Sequence, residues 1–472
     1  MKTVLKSALL VGASALLPAA LGAQQANPEN LLPPAPVEAE PTSPAARPTG
    51  QAEPDYDAPT AGSVAQAFDG SFETVQQVDA DVQPWTAQQA GQLVDLIESI
   101  GQHGLDPLDY DAAGLRAMIA QGTGAALDAE ASRRFVWLVE DMRDGRTPMD
   151  GRKQWFVMDP DADRYRSGTV MKAALESGDL AAALENVAPL HPDYAALKGA
   201  LAKAQPGSAR YRTIQANMDR WRWLPRDLGG QYLMTNVPEY QLRLTVNDKI
   251  VRTYRTIVGK PGRTATPQLA EVVEGVILNP TWTVPQSIVK GEGLGARVLG
   301  NPGWARAKGY TATRGANGWV TVVQQPGPTN SLGRMKLDMP NRHAIFLHDT
   351  PSRNLFAADS RALSHGCIRT ERATELALTL AILQAGLTAD EGVEMLNSGK
   401  YTRVGFEKKM PVYITYFTMA TDIDGKLSTF GDLYGRDDAV KAAFDAPRVA
   451  NRSRVTDEQV IVIEDDPRVS AP

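Results

Sequence analysis

The chain has 472 residues, 43% of them hydrophobic, which is enough for at least one sizeable core and, by length, two or three domains. A formal charge of −6 and the lack of any basic stripe exclude a general nucleic-acid binder. The lone cysteine excludes an internal disulfide, and in an oxidising compartment its thiol is a liability unless it is buried or chemically used.

At the N-terminus, MKTVLKSALLVGASALLPAALGAQQ sets Lys2 and Lys6 before an apolar run from Ala8 to Leu21, with small residues at Gly22 and Ala23. That is the pattern of a cleaved secretory signal peptide, residues 1–23. A membrane-spanning helix needs about 20 apolar residues, and this run is shorter and broken by Pro18. No cysteine lies at the cleavage region, which excludes a lipoprotein anchor. Residues 24–84 are rich in Pro, Ala, Gln, Glu and Ser without apolar periodicity and are expected to form a disordered tether.

From Trp85 the texture turns helical. Leu93, Ile97 and Ile100 fall at helical spacing, with Gly104 as a stop and Pro107 beyond. SRRFVWLVEDMRDGR and GDLAAALENVAPLHPDYAALKGALAKAQ add further amphipathic helices, giving a helical scaffold domain over residues 85–210. His103 and His191, each beside Gly or Pro, are expected to be capping or surface residues. In RYRTIQANMDRWRWLP, Ile214, Met218 and Trp221 fit one helix face.

The period then changes to two. YLMTNVPEYQLRLTVNDKIVRTYRTIVG predicts two or three strands with a hairpin turn at Asn247 and Asp248. EVVEGVILNPTWTVP, GWVTVVQQPG, HAIFLHD and MPVYITYFTMATDIDGKLSTF continue the series, the last with an Asp-Gly turn at Asp424 and Gly425; ERATELALTLAILQAG is a helix. The fold class is therefore α+β, with the helical domain followed by a mostly β catalytic domain over 211–437. The long connection from Pro285 to Asn341, which holds Trp304 and Tyr310, has the length of an active-site lid. Residues 438–472 are charged and contain proline, and are expected to be a peripheral or disordered tail.

The chemistry concentrates in FLHDTPSRNLFAADSRALSHGCIRT, Phe346 to Thr370, which holds the cysteine and two of the five histidines, with His343 just upstream. Strand alternation in HAIFLHD would put Ala344, Phe346 and His348 on one face and His343, Ile345 and Leu347 on the other. A metal site built from His343, His348, His365 and Cys367 is therefore disfavoured, and it lacks the spacings of known metal motifs; neither a metal nor a cofactor is expected. His348 and Cys367 make the better pair, because a neighbouring imidazole can take the thiol proton and stabilise the thiolate. Gly366 would allow a sharp turn, and a helix beginning near Thr370 and Glu371 would bring its positive end towards the thiolate and a developing oxyanion.

H-D-T followed by S-H-G-C-I-R resembles the signature of the L,D-transpeptidases. The flanking text MDRWRWLP, VGKPGRTATPQL, NPTWTVP, PGPTNSLGRMKLDMPN, LHDTPSRNLF, ALSHGCIR, PVYITYFT and GDLYGRD resembles the larger, periplasmic subgroup of that family, from about Asn217 to Asp437. The resemblance implies Cys367 as the acylated nucleophile, His348 as general base, and backbone N–H groups of Gly366 and Cys367 on the oxyanion. Ser364 would fix the turn and His365 would line the site, unless both are structural turn residues; Arg369 would contact a substrate carboxylate or peptide, or form a structural salt bridge. Trp282 and Phe346 are placed with the substrate-binding residues. The implied partners are peptidoglycan tetrapeptide stems, with carbapenem β-lactams as inhibitors, and the implied location is the periplasm, with no nucleic acid and no transmembrane span after signal cleavage.

Two features depart from the pattern. No room is left before RWRWLP for a separate peptidoglycan-binding module, so docking on the wall must come from elsewhere. Phe346 stands where close relatives often carry Tyr, so any contact made by that hydroxyl is missing. An L,D-carboxypeptidase or a wall-binding protein with a degenerate site are the alternatives; a redox sensor would need a resolving cysteine that the chain lacks.

Overall fold

A capping box sets the first helix, α1 (Ala87–Ser99): Thr86 Oγ1 accepts the Gln89 N–H, and the Gln89 carboxamide oxygen accepts the Thr86 N–H. The computed structural model describes residues 82–157, 166–316, 318–450 and 456–459; the signal-peptide reading and nearly all of the tether reading lie outside them. Helices α2 (Ala112–Gln121), α3 (Ala125–Asp144), α4 (Ser167–Ser177), α5 (Leu180–Glu185), α6 (Pro192–Leu201) and α7 (Ala209–Trp221) follow. Leu93, Ile97, Phe135, Leu138, Leu197, Ile214 and Trp221 pack in one core. Among the described residues no helix is long and apolar enough to cross a membrane.

His191 caps α6, accepting the Asp193 N–H at 3.1 Å, and stacks on Trp221. His103, expected at a cap or on the surface, is instead buried, with Nδ1 3.2 Å from the Tyr194 hydroxyl and Nε2 3.0 Å from Glu185. Burial pushes its basicity down to about 4; Arg222 and Lys198 add to that and Glu185 opposes it.

The strands are β1 (Gln231–Asn236), β2 (Gln241–Val246), β3 (Lys249–Gly259), β4 (Leu269–Leu278), β5 (Trp282–Thr283), β6 (Tyr310–Arg314), β7 (Val320–Gln324), β8 (Met335–Asp338), β9 (Leu347–His348), β10 (Ala362–Ser364), β11 (Ile368–Thr370), β12 (Thr402–Thr415), β13 (Met419–Thr421) and β14 (Leu427–Thr429). The main sheet runs β10-β3-β11-β9-β8-β4-β12-β1-β2, and β2 also pairs with β3, so the sheet closes on itself. The β2–β3 turn carries Asn247 and Asp248, both at positive φ (47° and 58°), as a two-residue hairpin of the mirror-image type requires.

The closed sheet shares a core with the scaffold. Alternation along β1 sends Leu233 into the sheet's own core and Tyr232 and Met234 into the helical one; along β12, Val412 and Ile414 go one way and Tyr413 the other. Ile214, Met218 and Trp221 of α7 also lie in the helical core, so the chain from 211 to Trp221, read from sequence as catalytic, packs with the scaffold.

Helices α8 (Gln286–Gly291), α9 (Leu294–Gly300) and α10 (Pro302–Ala307), with β5, β6 and β7 in a small sheet, form the insertion. It has its own core of Val284, Val289, Leu294, Val298, Ala305, Tyr310 and Val322, and Trp304 stacks on Tyr310 with centroids 5.6 Å apart. At its neck the buried Asn330 donates from Nδ2 to the carbonyls of Pro280, Gln324 and Gln325. β8 pairs with β4 and belongs to the main sheet, so the insertion ends before 335 rather than at Asn341.

Helices α11 (Ala373–Ala385) and α12 (Ala389–Asn397) cover the closed sheet, and α13 (Asp437–Asp445) returns to the scaffold. The chain after Gly435, expected to be peripheral, is anchored as far as Val449. Val440 joins the helical core, Arg220 pairs with Asp437 at 2.6 Å, and Arg448 reaches the fully buried Asp141 at 2.8 Å and Glu140 at 2.9 Å. Isolated charges in a tail give no sequence signal of this, because their partners lie some three hundred residues upstream. Arg448→Ala leaves Asp141 without its buried cation and is expected to cost about 3–5 kcal/mol in chemical denaturation; a loss under about 1 kcal/mol would show that this anchor is dispensable.

Candidate active site

β9 and β11 run parallel, with Leu347 opposite Ile368 and His348 opposite Arg369, and the Ile368 N–H donates to Phe346 O at 3.0 Å. Leu347 and Ile368 are fully buried in the sheet's core. Alternation therefore turns His348, Cys367 and Arg369 to the opposite face, while Phe346, which precedes the strand, still packs in that core. After burial, the Arg369 charge further lowers the basicity of His348; Arg369 itself is shifted down by burial, with Cys367 acting against that.

The cysteine sits at the end of a tight turn in which Gly366 holds φ 124°, a conformation side chains rarely adopt. Ser364 Oγ accepts the Gly366 N–H at 3.1 Å and donates to Cys367 O at 2.6 Å. Ser364 thus ties the turn together, and the Gly366 N–H, expected to serve an oxyanion, is already engaged by the Ser364 hydroxyl. From the other side Thr266 Oγ1 donates to Gly366 O at 2.8 Å. The thiol lies 3.6 Å from Ala344 O.

The helix expected to begin beside the cysteine starts later. Strand β11 intervenes, Arg372 at φ 50° precedes α11, and the first helical residue is Ala373. Three strand residues extend about 10 Å, beyond the first-turn reach of a helix dipole.

His348 is fixed through Asp349, whose carboxylate accepts the Arg334 N–H at 2.9 Å and whose own N–H donates to Met335 O. The Asp349 carbonyl lies 2.5 Å from His348 Nδ1. A carbonyl can only accept, so Nδ1 carries the proton and Nε2 is left basic. Burial pushes the His348 imidazole down to about 3, the Arg369 and Lys336 charges act in the same direction, and hydrogen bonds to the backbone of Asp349 and Leu332 oppose them. It is therefore neutral near pH 7 and able to accept a proton.

His343 lies in a turn, not on a strand: Asn341 Oδ1 accepts the N–H groups of His343 and Ile345, and Ala344 sits at φ 52°. The alternation argument therefore does not extend upstream of Leu347. The His343 ring packs on Phe156 with centroids 4.4 Å apart, and burial, then Arg342, lowers its basicity to about 4.

His365 is half-buried and its Nε2 meets Glu292 of the insertion at 3.1 Å, so the insertion touches the residue two before the nucleophile. Trp282 pairs with Gln324 and packs against both the sheet's core and the insertion's core, so it joins the two. Phe346 lies with Lys336 Nζ 3.9 Å over its ring and His348 5.6 Å away. Among the described residues Arg369 makes no ion pair with a carboxylate. Thr266, Asp349 and Tyr434 were not singled out from sequence; each stands inside text quoted for the resemblance, yet a Thr before Pro carries no signal by itself.

A family model described as the L,D-transpeptidase catalytic domain matches residues 230–414, and one described as a scaffold domain matches residues 82–201. The chain carries an L,D-transpeptidase catalytic domain. A curated Haemophilus influenzae protein assigned to the L,D-transpeptidases is 29% identical over 245 residues, 49% of each chain, so this chain spans about half the length of that relative. Similar solved structures include an L,D-transpeptidase from Mycobacterium smegmatis (12% identity, 39% of this chain and 58% of that one, TM-score 0.20) and the L,D-transpeptidase LdtMt1 in complex with imipenem (14%, 39% and 59%, TM-score 0.19). His348, Ser364, His365, Gly366, Cys367 and Arg369 all fall within the L,D-transpeptidase domain, whereas Tyr434 and α13 lie beyond it.

The depressed basicity of His348 sets a pH dependence. A base with a folded pKa of about 3 stays neutral as pH falls through the ordinary imidazole value near 6.5. Acylation of Cys367, followed by intact mass, is expected to persist at pH 5.5 and to lose its base only as pH falls below about 4; an acid limb centred near 6.5 would contradict the assignment. Stability carries the same sign: the unfolded chain takes up this proton first, so the contribution of neutral His348 is full above about pH 6.5 and is lost as pH falls towards 3.

Proposed function

We propose that the protein is a periplasmic cysteine acyltransferase that cross-links peptidoglycan. The observation that carries this reading is the placing of Cys367 and a neutral, Nδ1-protonated His348 on one face of an L,D-transpeptidase domain. His348 Nε2 takes the thiol proton as sulfur attacks the carbonyl at the L-centre of diaminopimelate in a tetrapeptide stem. The carbonyl oxygen takes the negative charge against the Cys367 N–H. When the tetrahedral adduct collapses, the C–N bond to D-alanine breaks, His348 returns the proton to the leaving amine, and a thioester remains. An amine of a second stem attacks the thioester, gives up its proton to His348 and releases the thiolate, which is then reprotonated. Arg369, charged and without a carboxylate partner, suits a substrate carboxylate. The insertion, joined to the site through Glu292 and His365, covers the stem peptide. The leader-like N-terminus supports export to the compartment where the substrate lies, and the resemblance extends the reading to acylation by carbapenems.

Purified protein incubated with disaccharide-tetrapeptide is expected to release D-alanine and to give cross-linked dimers by mass spectrometry. Tripeptide monomers alone would make it an L,D-carboxypeptidase; inertness towards both tetrapeptide and pentapeptide would leave the wall-binding alternative. Cys367→Ala is expected to abolish the covalent carbapenem adduct. His348→Ala should slow adduct formation by about 10²–10⁴-fold, the range for a general base; an unchanged rate would remove His348 from that role.

A further inference from the structure

Thr266 is fully buried and sits at the centre of a closed set of hydrogen bonds behind the nucleophile. The Gly259 N–H donates to Thr266 Oγ1 at 2.9 Å, and the hydroxyl has a single proton, which goes to Gly366 O at 2.8 Å. The Thr266 N–H donates to the Tyr434 hydroxyl at 3.2 Å, and that hydroxyl donates to Gly259 O at 2.7 Å. Tyr434 is held in turn by stacking on Tyr416, with Arg436 over both rings. The chain passes close here: a Cβ on Gly259 would lie 1.9 Å from Thr264 O, so only glycine fits. β-Branching restricts χ1 of Thr266, and the two hydrogen bonds of its hydroxyl hold the rotamer it takes.

The carbonyl that Thr266 holds belongs to the Gly366–Cys367 peptide. In a trans peptide the C=O and N–H point in opposite directions, so fixing Gly366 O against Thr266 fixes the Cys367 N–H on the far side of that plane. Resting on the acyl-transfer reading above, the geometry points to Thr266 as a positioning residue: its hydroxyl, braced by Tyr434, orients the Gly366–Cys367 peptide so that the Cys367 N–H faces the oxyanion. Gly366 is free to rotate at its left-handed φ and has its N–H bound only to Ser364, so without Thr266 the peptide plane has no other clamp on its carbonyl among the hydrogen bonds of the described residues.

This separates two reactions at one sulfur. Acylation by imipenem builds an oxyanion; alkylation by iodoacetamide needs the same thiolate but no oxyanion donor. Thr266→Val, which keeps shape and removes the hydroxyl, is expected to slow imipenem acylation by about 10–100-fold, below the full loss of an oxyanion donor, while alkylation stays within about threefold. Thr266→Ser should restore acylation to within about threefold of the starting chain. Tyr434→Phe, which leaves the Thr266 hydroxyl in place but loosens its brace, is expected to give the same selective loss at about 3–10-fold and serves if the valine variant does not fold. Unchanged acylation in whichever of Thr266→Val and Tyr434→Phe folds, a parallel fall in alkylation, or failure of serine to rescue would overturn the assignment. A starting chain that is alkylated but never acylated, by imipenem or by tetrapeptide, would overturn the acyl-transfer reading and the clamp with it; normal acylation of the starting chain with an equally fast valine variant overturns the clamp alone.

Discussion

The site depends on the register of two very short strands. Leu347 and Ile368 are anchored in the sheet's core, and their parallel pairing forces His348 and the residues around Cys367 to the other face. A slip of one residue would invert this, placing imidazole in the core and leucine in the site. That register is held at both ends: Asp349 is tied to Arg334 and Met335, and the nucleophile turn is tied to β3 through Lys260 and Ser364 and to Thr266 through Gly366. The low basicity of His348 follows from the same burial, so the geometry that delivers the imidazole also keeps it neutral.

The scaffold is more than a neighbour of this sheet. β1 and the end of β12, Val412–Thr415, are buried on both faces, one towards the sheet's core and one towards the helices, and Tyr232, Tyr413 and Phe417 belong to the helical core. Phe156 follows a backbone bridge between Trp155 and Gln268, packs on His343 and lies in the sheet's core, so a residue preceding α4 is built into the closed sheet. The final helix closes the arrangement, since Arg220 to Asp437 and Arg448 to Asp141 join three distant stretches through buried charge pairs. Removing one member of such a pair leaves an uncompensated charge, which gives these contacts more weight than surface pairs.

What could be read from the chain follows the range of the forces involved. Local rules served well: the Asn247–Asp248 turn, the Asp424–Gly425 turn between β13 and β14, and the alternation of β1 all follow from nearest-neighbour sterics and burial. That His348 and Cys367 stand on neighbouring parallel strands was approachable from sequence because motif spacing and thiol chemistry single out the same two residues. Other features rest on contacts made across the fold. Ser364 capturing the Gly366 N–H, Ala344 turning at positive φ to end the strand early, Arg372 delaying α11, and His103 finding Tyr194 and Glu185 are invisible until the chain is folded. Trp304 and Tyr310 were noted only as aromatics within a lid-length connection, and their stacking gives the insertion a core of its own.

The central claim is that His348 is held as a neutral base with its proton on Nδ1, facing Cys367. Nitrogen-15 NMR of histidine-labelled protein, with the His348 signals assigned by their absence in His348→Gln, reports both the tautomer and its titration. The account predicts a neutral, Nδ1-protonated ring whose signals do not titrate as pH is lowered through 6.5 and which remains neutral down to about pH 4. An Nε2-protonated ring, or a midpoint near the ordinary imidazole value, would contradict it.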